Sequence, residues 1–190
     1  MAWRRAWRQG PRLGGMEWAL PEWTVLAVLR EQARHGFAIA ALTARGGELG
    51  RIWQIPRPVI YRALSRLEEA GLTAPTAVES GPGPQRTLHT VTDAGRVAVD
   101  EWLRQPVEHV RDLRSHLLMK LALLDRRGID PGDLLRAQRA VLEPIVRAVA
   151  VDRDRHQGFD GVLLAWRHSN ASAALHFLAE IGSPDSQPPT

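Results

Sequence analysis

With 190 residues, 44% of them hydrophobic, and a formal net charge of +4, the chain has the size and apolar content of one ordinary folded domain or two small ones. No stretch nears the roughly 18 consecutive apolar residues of a membrane span, and the N-terminus lacks the apolar core of a signal peptide, so a cytoplasmic protein is expected. The absence of cysteine removes disulfides, thiolate zinc sites, a cysteine nucleophile and thiol redox sensing together. The charge is unevenly placed. Arg4, Arg5, Arg8 and Arg12 carry the whole excess, whereas residues 16–106 balance ten basic against ten acidic side chains and residues 107–190 eleven against eleven. Only local clusters within the folded part can therefore attract a polyanion.

In chain order, a basic arm over residues 1–15 precedes a first unit over residues 16–106. Leu20, Trp23, Val25, Leu26 and Leu29 are spaced as a helix with one buried face. Phe37, Ile39, Ala40 and Leu42 form a short second helix that stops at Gly46-Gly47. Pro58, whose fixed φ suits a first helical position, opens a third helix that Gly71 closes as a C-terminal cap. Residues 72–78 and 86–91 are β-prone and flank Ser80-Gly81-Pro82-Gly83-Pro84-Gln85, a stiff turn-rich tip. Thr92 is a good N-cap for a fourth helix that halts at Pro106. Three helices, a hairpin and a helix predict a mainly α chain whose first unit is a winged helix-turn-helix with a small β-hairpin wing.

The second unit, residues 107–182, reads as three helices broken at Arg127-Gly128 and Gln157-Gly158. In the middle one, Leu135, Gln138, Leu142, Ile145 and Val149 recur at spacings of three and four, a narrow coiled-coil seam that calls for a partner helix and hence a dimer. Pro144 inside that helix is expected to kink it. Residues 183–190 are rich in Pro and Ser and are expected to be a disordered tail.

The third helix carries the chemistry. Ile60, Ala63, Leu64 and Leu67 share one side, with Pro58, Arg62, Ser65 and Glu69 opposite and Tyr61 on the flank. Arginine can bond bidentately to guanine, and serine or tyrosine can meet a base edge or a phosphate. Arg51, Arg57, Arg62 and Arg66 give residues 51–67 four positive charges and no acid, the footprint that phosphate binding requires. Arg86, just beyond the tip, stands where a wing would reach a phosphate or the minor groove.

These blocks resemble the PadR family of bacterial transcriptional regulators. The residues that carry the resemblance are His35-Gly36-Phe37-Ala38-Ile39, the run from Ile60-Tyr61-Arg62 to Ala70-Gly71-Leu72, Gly81-Pro82-Gly83-Pro84-Gln85-Arg86, Val91-Thr92-Asp93-Ala94-Gly95-Arg96, and Arg111-Asp112-Leu113-Arg114 leading to Leu118-Met119-Lys120-Leu121. The resemblance spans residues 18–181 and implies a homodimer, joined through its helical C-terminal domain, on a pseudo-palindromic operator. It also implies repression of a nearby gene and release by a small apolar effector. Tyr61, Arg62 and Arg86 match residue for residue as DNA contacts, and Arg57, Ser65 and Arg66 join them on helical geometry and charge. Two positions depart from the family's pattern. His89 stands in the second wing strand where an aromatic is expected, and Pro56-Arg57-Pro58 leads into the third helix where Ser or Gly is usual.

Other chemistry finds little purchase. The seven histidines make no i,i+4 pair, and no HExxH, GxSxG, GxGxxG or P-loop pattern occurs, so neither an enzyme nor a metal site nor a cofactor is expected. His35 beside Gly36 reads as a loop or cap residue. Trp53, Trp102 and Trp166 could line a cavity for a flat hydrophobic or aromatic effector, or simply pack in the core. Trp3, Arg4, Arg5, Trp7 and Arg8 could meet DNA backbone or an acidic membrane surface, or belong to an upstream extension, since the family-like part begins at Met16. A winged helix that binds only other proteins remains the alternative to one that binds double-stranded DNA.

Overall fold

The computed structural model describes residues 12–13, 16–79 and 86–182. Most of the basic arm, the tip of the wing and residues 183–190 lie outside them, and with them the readings made there. The chain divides into two compact units between Leu103 and Arg104.

The first unit opens with two short paired strands, β1 (Arg12–Leu13) and β2 (Met16–Glu17). Helix α1 (Leu20–Glu31) follows and is buried almost all round, from Leu20 through Leu29. It is the spine of the unit. Trp23 on it stacks on Trp102 with ring centroids 5.3 Å apart and planes nearly parallel, and Arg30 pairs with Asp100 at 3.3 Å. Both contacts tie α1 to α4 (Asp93–Arg104). Strand β3 (Arg34–His35) leads directly into α2 (Gly36–Thr43), and α3 spans Arg57–Glu69. The wing consists of β4 (Thr73–Glu79) and β5 (Arg86–Val91), paired antiparallel with an irregularity between Pro75 and Ala77. Sheet order is β3-β5-β4, so the hairpin expected from sequence gains a third, two-residue strand. Pro75, which cannot donate to a ladder, sits on the edge strand where that matters least.

The local signals act as their chemistry dictates. Gly71 takes φ +70, which an L side chain rarely tolerates. Leu72 N–H then bonds the Leu67 carbonyl at 2.9 Å and Gly71 N–H the Glu68 carbonyl at 2.9 Å, the Schellman pattern. The Thr92 hydroxyl accepts from Gly95 N–H at 3.1 Å, capping α4, and donates to the Gly71 carbonyl at 2.7 Å, which joins the end of α3 to the start of α4. His35 caps α2, its Nδ1 accepting from Ala38 N–H at 3.3 Å.

The second unit begins with a 3₁₀ turn (Val110–Asp112) and a π-helical turn (Leu113–Leu117) that run into α5 (Leu118–Asp125). Helices α6 (Gly132–Arg153) and α7 (Gly158–Ile181) pack against each other, joined by a connection short enough to force a hairpin. The breaks fall where the glycines predicted them, with Gly128 at φ 63 and Gly158 at φ 62. Helix α6 continues through Pro144 without interruption.

One expectation needs correction. Of the α6 seam, Leu135, Gln138 and Leu142 are already buried within this single chain, and Leu142 and Gln138 have no exposed surface at all. Gln138 is bonded at both ends of its amide, Nε2 donating to the Val107 carbonyl at 2.8 Å and Oε1 accepting from Val107 N–H at 2.7 Å. The 3-4 spacing called for a partner helix, and for this half of the seam the partner is the chain itself. Only Ile145 and Val149, near the C-terminal end, remain partly exposed.

Candidate nucleic-acid interface

Helix α3 sorts its side chains as its periodicity requires. Ile60, Ala63, Leu64 and Leu67 are buried against the unit, and each fully buried Ile or Leu contributes roughly 1.5–3 kcal/mol by removal from water. That burial fixes the helix and leaves Arg57, Pro58, Tyr61, Arg62 and Ser65 facing out. Arg57 is the first helical residue and Pro58 the second, one step from the sequence expectation and still in the turn whose N–H groups lack helical partners. Neither Arg57 nor Arg62 makes an ion pair among the described residues, so their charge is uncompensated. Ser65 Oγ donates to the Tyr61 carbonyl at 3.2 Å.

Helix α2 shapes this face from below. A Cβ on Gly36 would lie 2.9 Å from Tyr61 Cε1 and 3.1 Å from Tyr61 Cζ. The Tyr61 ring thus occupies space that any other residue at 36 would fill. Tyr61 remains 42% exposed and Phe37, the next residue on α2, 48% exposed. A shallow groove of about 410 Å³ beside them is lined by Phe37, Ala40, Ala41, Ile55, Pro56 and Arg57 among others.

Arg66 departs from the DNA-contacting role that the acid-free arginine run suggested. Its Nη1 pairs with Glu22 Oε1, and its guanidinium lies 5.2 Å from the centre of the Trp18 ring. Glu22 is a carboxylate on the buried spine α1, and without Arg66 it would be a charge removed from water with no counter-charge. The cation that sequence counting assigns to an acid-free run is therefore neutralised across the fold. The signal was in the sequence as Glu22 among the apolar residues of the first helix.

The backbone of Arg86 pairs with Glu79 at the first rung of the wing, and its side chain lies outside the described residues. His89, the unusual wing residue, pairs with Arg34 on one side and Pro75 on the other, and its Nδ1 lies 3.8 Å from Glu68 on α3. The wing thus brings an imidazole near a carboxylate of α3, beyond hydrogen-bond distance, where an aromatic was expected.

The three tryptophans do not serve one purpose. Trp102 is 3% exposed and stacked on Trp23, which places it in the core of the first unit and corrects its assignment to a cavity wall. Trp53 is 42% exposed and Trp166 68% exposed, and none of the three lines the groove beside α2. A different surface feature escaped sequence reasoning. Phe159, Val162 and Trp166 on α7 are all exposed, at spacings of three and four, with Val151 of α6 exposed as well. The same spacing rule that picked out α6 would have found them.

No helix among the described residues is long and apolar enough to cross a membrane, and no cluster of three or more His, Asp or Glu among them could hold a metal ion. Residues 25–101 match the profile of the Transcriptional regulator PadR-like family. This stretch is similar to a PadR-like domain. Over 166 residues the chain is 28% identical to a probable transcriptional regulator of Mycobacterium tuberculosis, covering 83% of this chain and 84% of that one. The structure of Bacillus subtilis PadR in complex with operator DNA aligns with TM-score 0.42 and 19% identity over 86% of this chain and 98% of that one. A Streptococcus mutans structure aligns with TM-score 0.41 and 16% identity over 84% and 96%. The stretch matched by the family profile, residues 25–101, runs from within α1 to the greater part of α4 and includes the α3 face.

Proposed function

We propose that the chain is a DNA-binding transcriptional regulator that acts in the cytoplasm as a homodimer on a pseudo-palindromic operator, represses, and is released by a small apolar effector. One observation carries the DNA-binding reading. The outward side of α3 from Arg57 to Ser65 holds Arg57, Tyr61, Arg62 and Ser65, with no acid among them and no ion pair on either arginine among the described residues. Such a face suits a major groove, where planar guanidinium forks meet guanine edges and hydroxyls meet phosphates or bases. The family match over residues 25–101 supports the same use. Arg86 on the wing is assigned a phosphate or minor-groove contact.

Because the folded units are nearly neutral, affinity rests on this small cluster and on its duplication by a second copy. For that copy, the exposed stripe Phe159, Val162 and Trp166 suits an apolar partner surface, with Ile145 and Val149 of α6 as further candidates. Trp53 and Trp166 remain as effector-contacting candidates on account of their exposure. Titration of tryptophan fluorescence with a panel of aromatic compounds tests this part, and an unchanged signal across the panel counts against it.

The decisive experiment is a gel shift of the full chain on the DNA upstream of its own gene, repeated across a salt series. Specific binding that falls steeply with salt is expected. Absent or salt-insensitive binding would instead mark a winged helix that engages other proteins.

A further inference from the structure

Phe37 is a large apolar ring left 48% exposed on α2, a poor use of a phenylalanine unless its face has work at the surface. Over that face lies a cation. The Arg57 guanidinium carbon is 5.3 Å from the centre of the Phe37 ring and 5.5 Å from the centre of the Tyr61 ring, and Arg57 Nη2 donates to Tyr61 Oη at 3.5 Å. Both rings are themselves held. Phe37 meets the edge of His35, with centroids 6.4 Å apart and planes at 89°, while His35 is pinned by its bond to Ala38 N–H. Tyr61 lies against the backbone of Gly36, where a Cβ would collide with it. One ring from α2 and one from α3 thus hold one guanidinium that has no acidic partner among the described residues.

We infer that Phe37 is a positioning residue of the DNA-reading head, which together with Tyr61 brackets Arg57 and presents its guanidinium fork, ordered in advance, to a guanine in the operator. This rests on the DNA-binding reading of α3. A free arginine on the first turn of a helix samples many rotamers and loses that freedom when it binds a base. A guanidinium attracted to two ring faces has lost part of it already. Leucine at 37 would keep an apolar side chain of similar reach and remove the ring face. Tyrosine would keep the face.

The test uses the full chain and duplexes that the unaltered protein selects from a randomised library. Phe37→Leu is expected to weaken binding about two- to fivefold, the range of an exposed cation–π contact. It should also flatten base preference at the same position that Arg57→Ala flattens. Phe37→Tyr should bind as the unaltered chain does, Phe37→Leu should add nothing in an Arg57→Ala background, and the melting temperature should not move. The inference is overturned by a Phe37→Leu variant that binds normally, by a loss that persists undiminished without Arg57, or by failure of tyrosine to restore binding. If the unaltered chain selects no sequence at all, it is the DNA-binding reading that falls.

Discussion

The outward faces of α3 and α7 obey the same helical periodicity and are made of opposite material. On α3 the exposed positions carry arginine, tyrosine and serine around a buried row of Ile60, Ala63, Leu64 and Leu67. On α7 the buried positions are few, Ala171 and Leu178, and the exposed ones include Phe159, Val162 and Trp166. Periodicity says only that a helix has two sides. What the outer side is made of says which class of partner it can take, a polyanion for one and an apolar surface for the other.

The largest effect that can sharpen this contrast comes from separating burial inside the chain from exposure at its surface. Leu142→Asp would place a carboxylate where no surface is exposed, and a loss of about 5 kcal/mol or more is expected, enough to unfold the second unit. Trp166→Asp, on the exposed stripe, should leave the helical circular dichroism intact and turn a dimer into a monomer in sedimentation. A folded Leu142→Asp chain would break the distinction.

Next comes the pair of arginines on α3. Arg66→Ala strands the Glu22 carboxylate, and with Arg66 itself 39% exposed the expected loss is about 2 kcal/mol of stability. Its effect should appear in denaturant melts. Arg62→Ala should leave the melt unchanged and weaken specific DNA binding by about 1–3 kcal/mol. If the two variants exchanged these readouts, the division of α3 into a bracing cation and a reading cation would be wrong.

The last effect is a pH dependence at Lys120, the single lysine of the chain, 3% exposed, with Nζ donating to the Gln105 carbonyl at 2.5 Å. Burial pushes its amine down from 10.5 to about 7. Between pH 7 and pH 10.5 the unfolded chain holds a proton on this amine that the folded chain has released. The contribution to stability therefore rises with pH across that window and is flat below it. Lys120→Met should remove the rise, measured as melting temperature against pH. The neighbouring His116 is likewise held below the ordinary histidine range, first by burial and then by the Lys120 charge, with Asp112 opposing.

Features that depend on neighbours along the chain were legible in the sequence. Gly71 at positive φ, Thr92 as a cap, the glycine breaks in the second unit and the sorting of α3 into apolar and polar sides all follow from forces that act within a turn or two. The outward placement of Arg57, Tyr61, Arg62 and Ser65 came with that sorting. Only the tertiary structure decided where Arg66 spends its charge, because Glu22 lies 44 residues away and the pairing exists only once α1 and α3 are packed. The same holds for the two-residue strand at Arg34–His35, too short to show a pattern and defined by the strand beside it. It holds again for Leu142 and Gln138, where the 3-4 spacing demanded a partner helix without saying from which chain it comes. Local geometry is written residue by residue, but the partner of a charge or of an apolar stripe is set by which surfaces the completed fold has left uncovered.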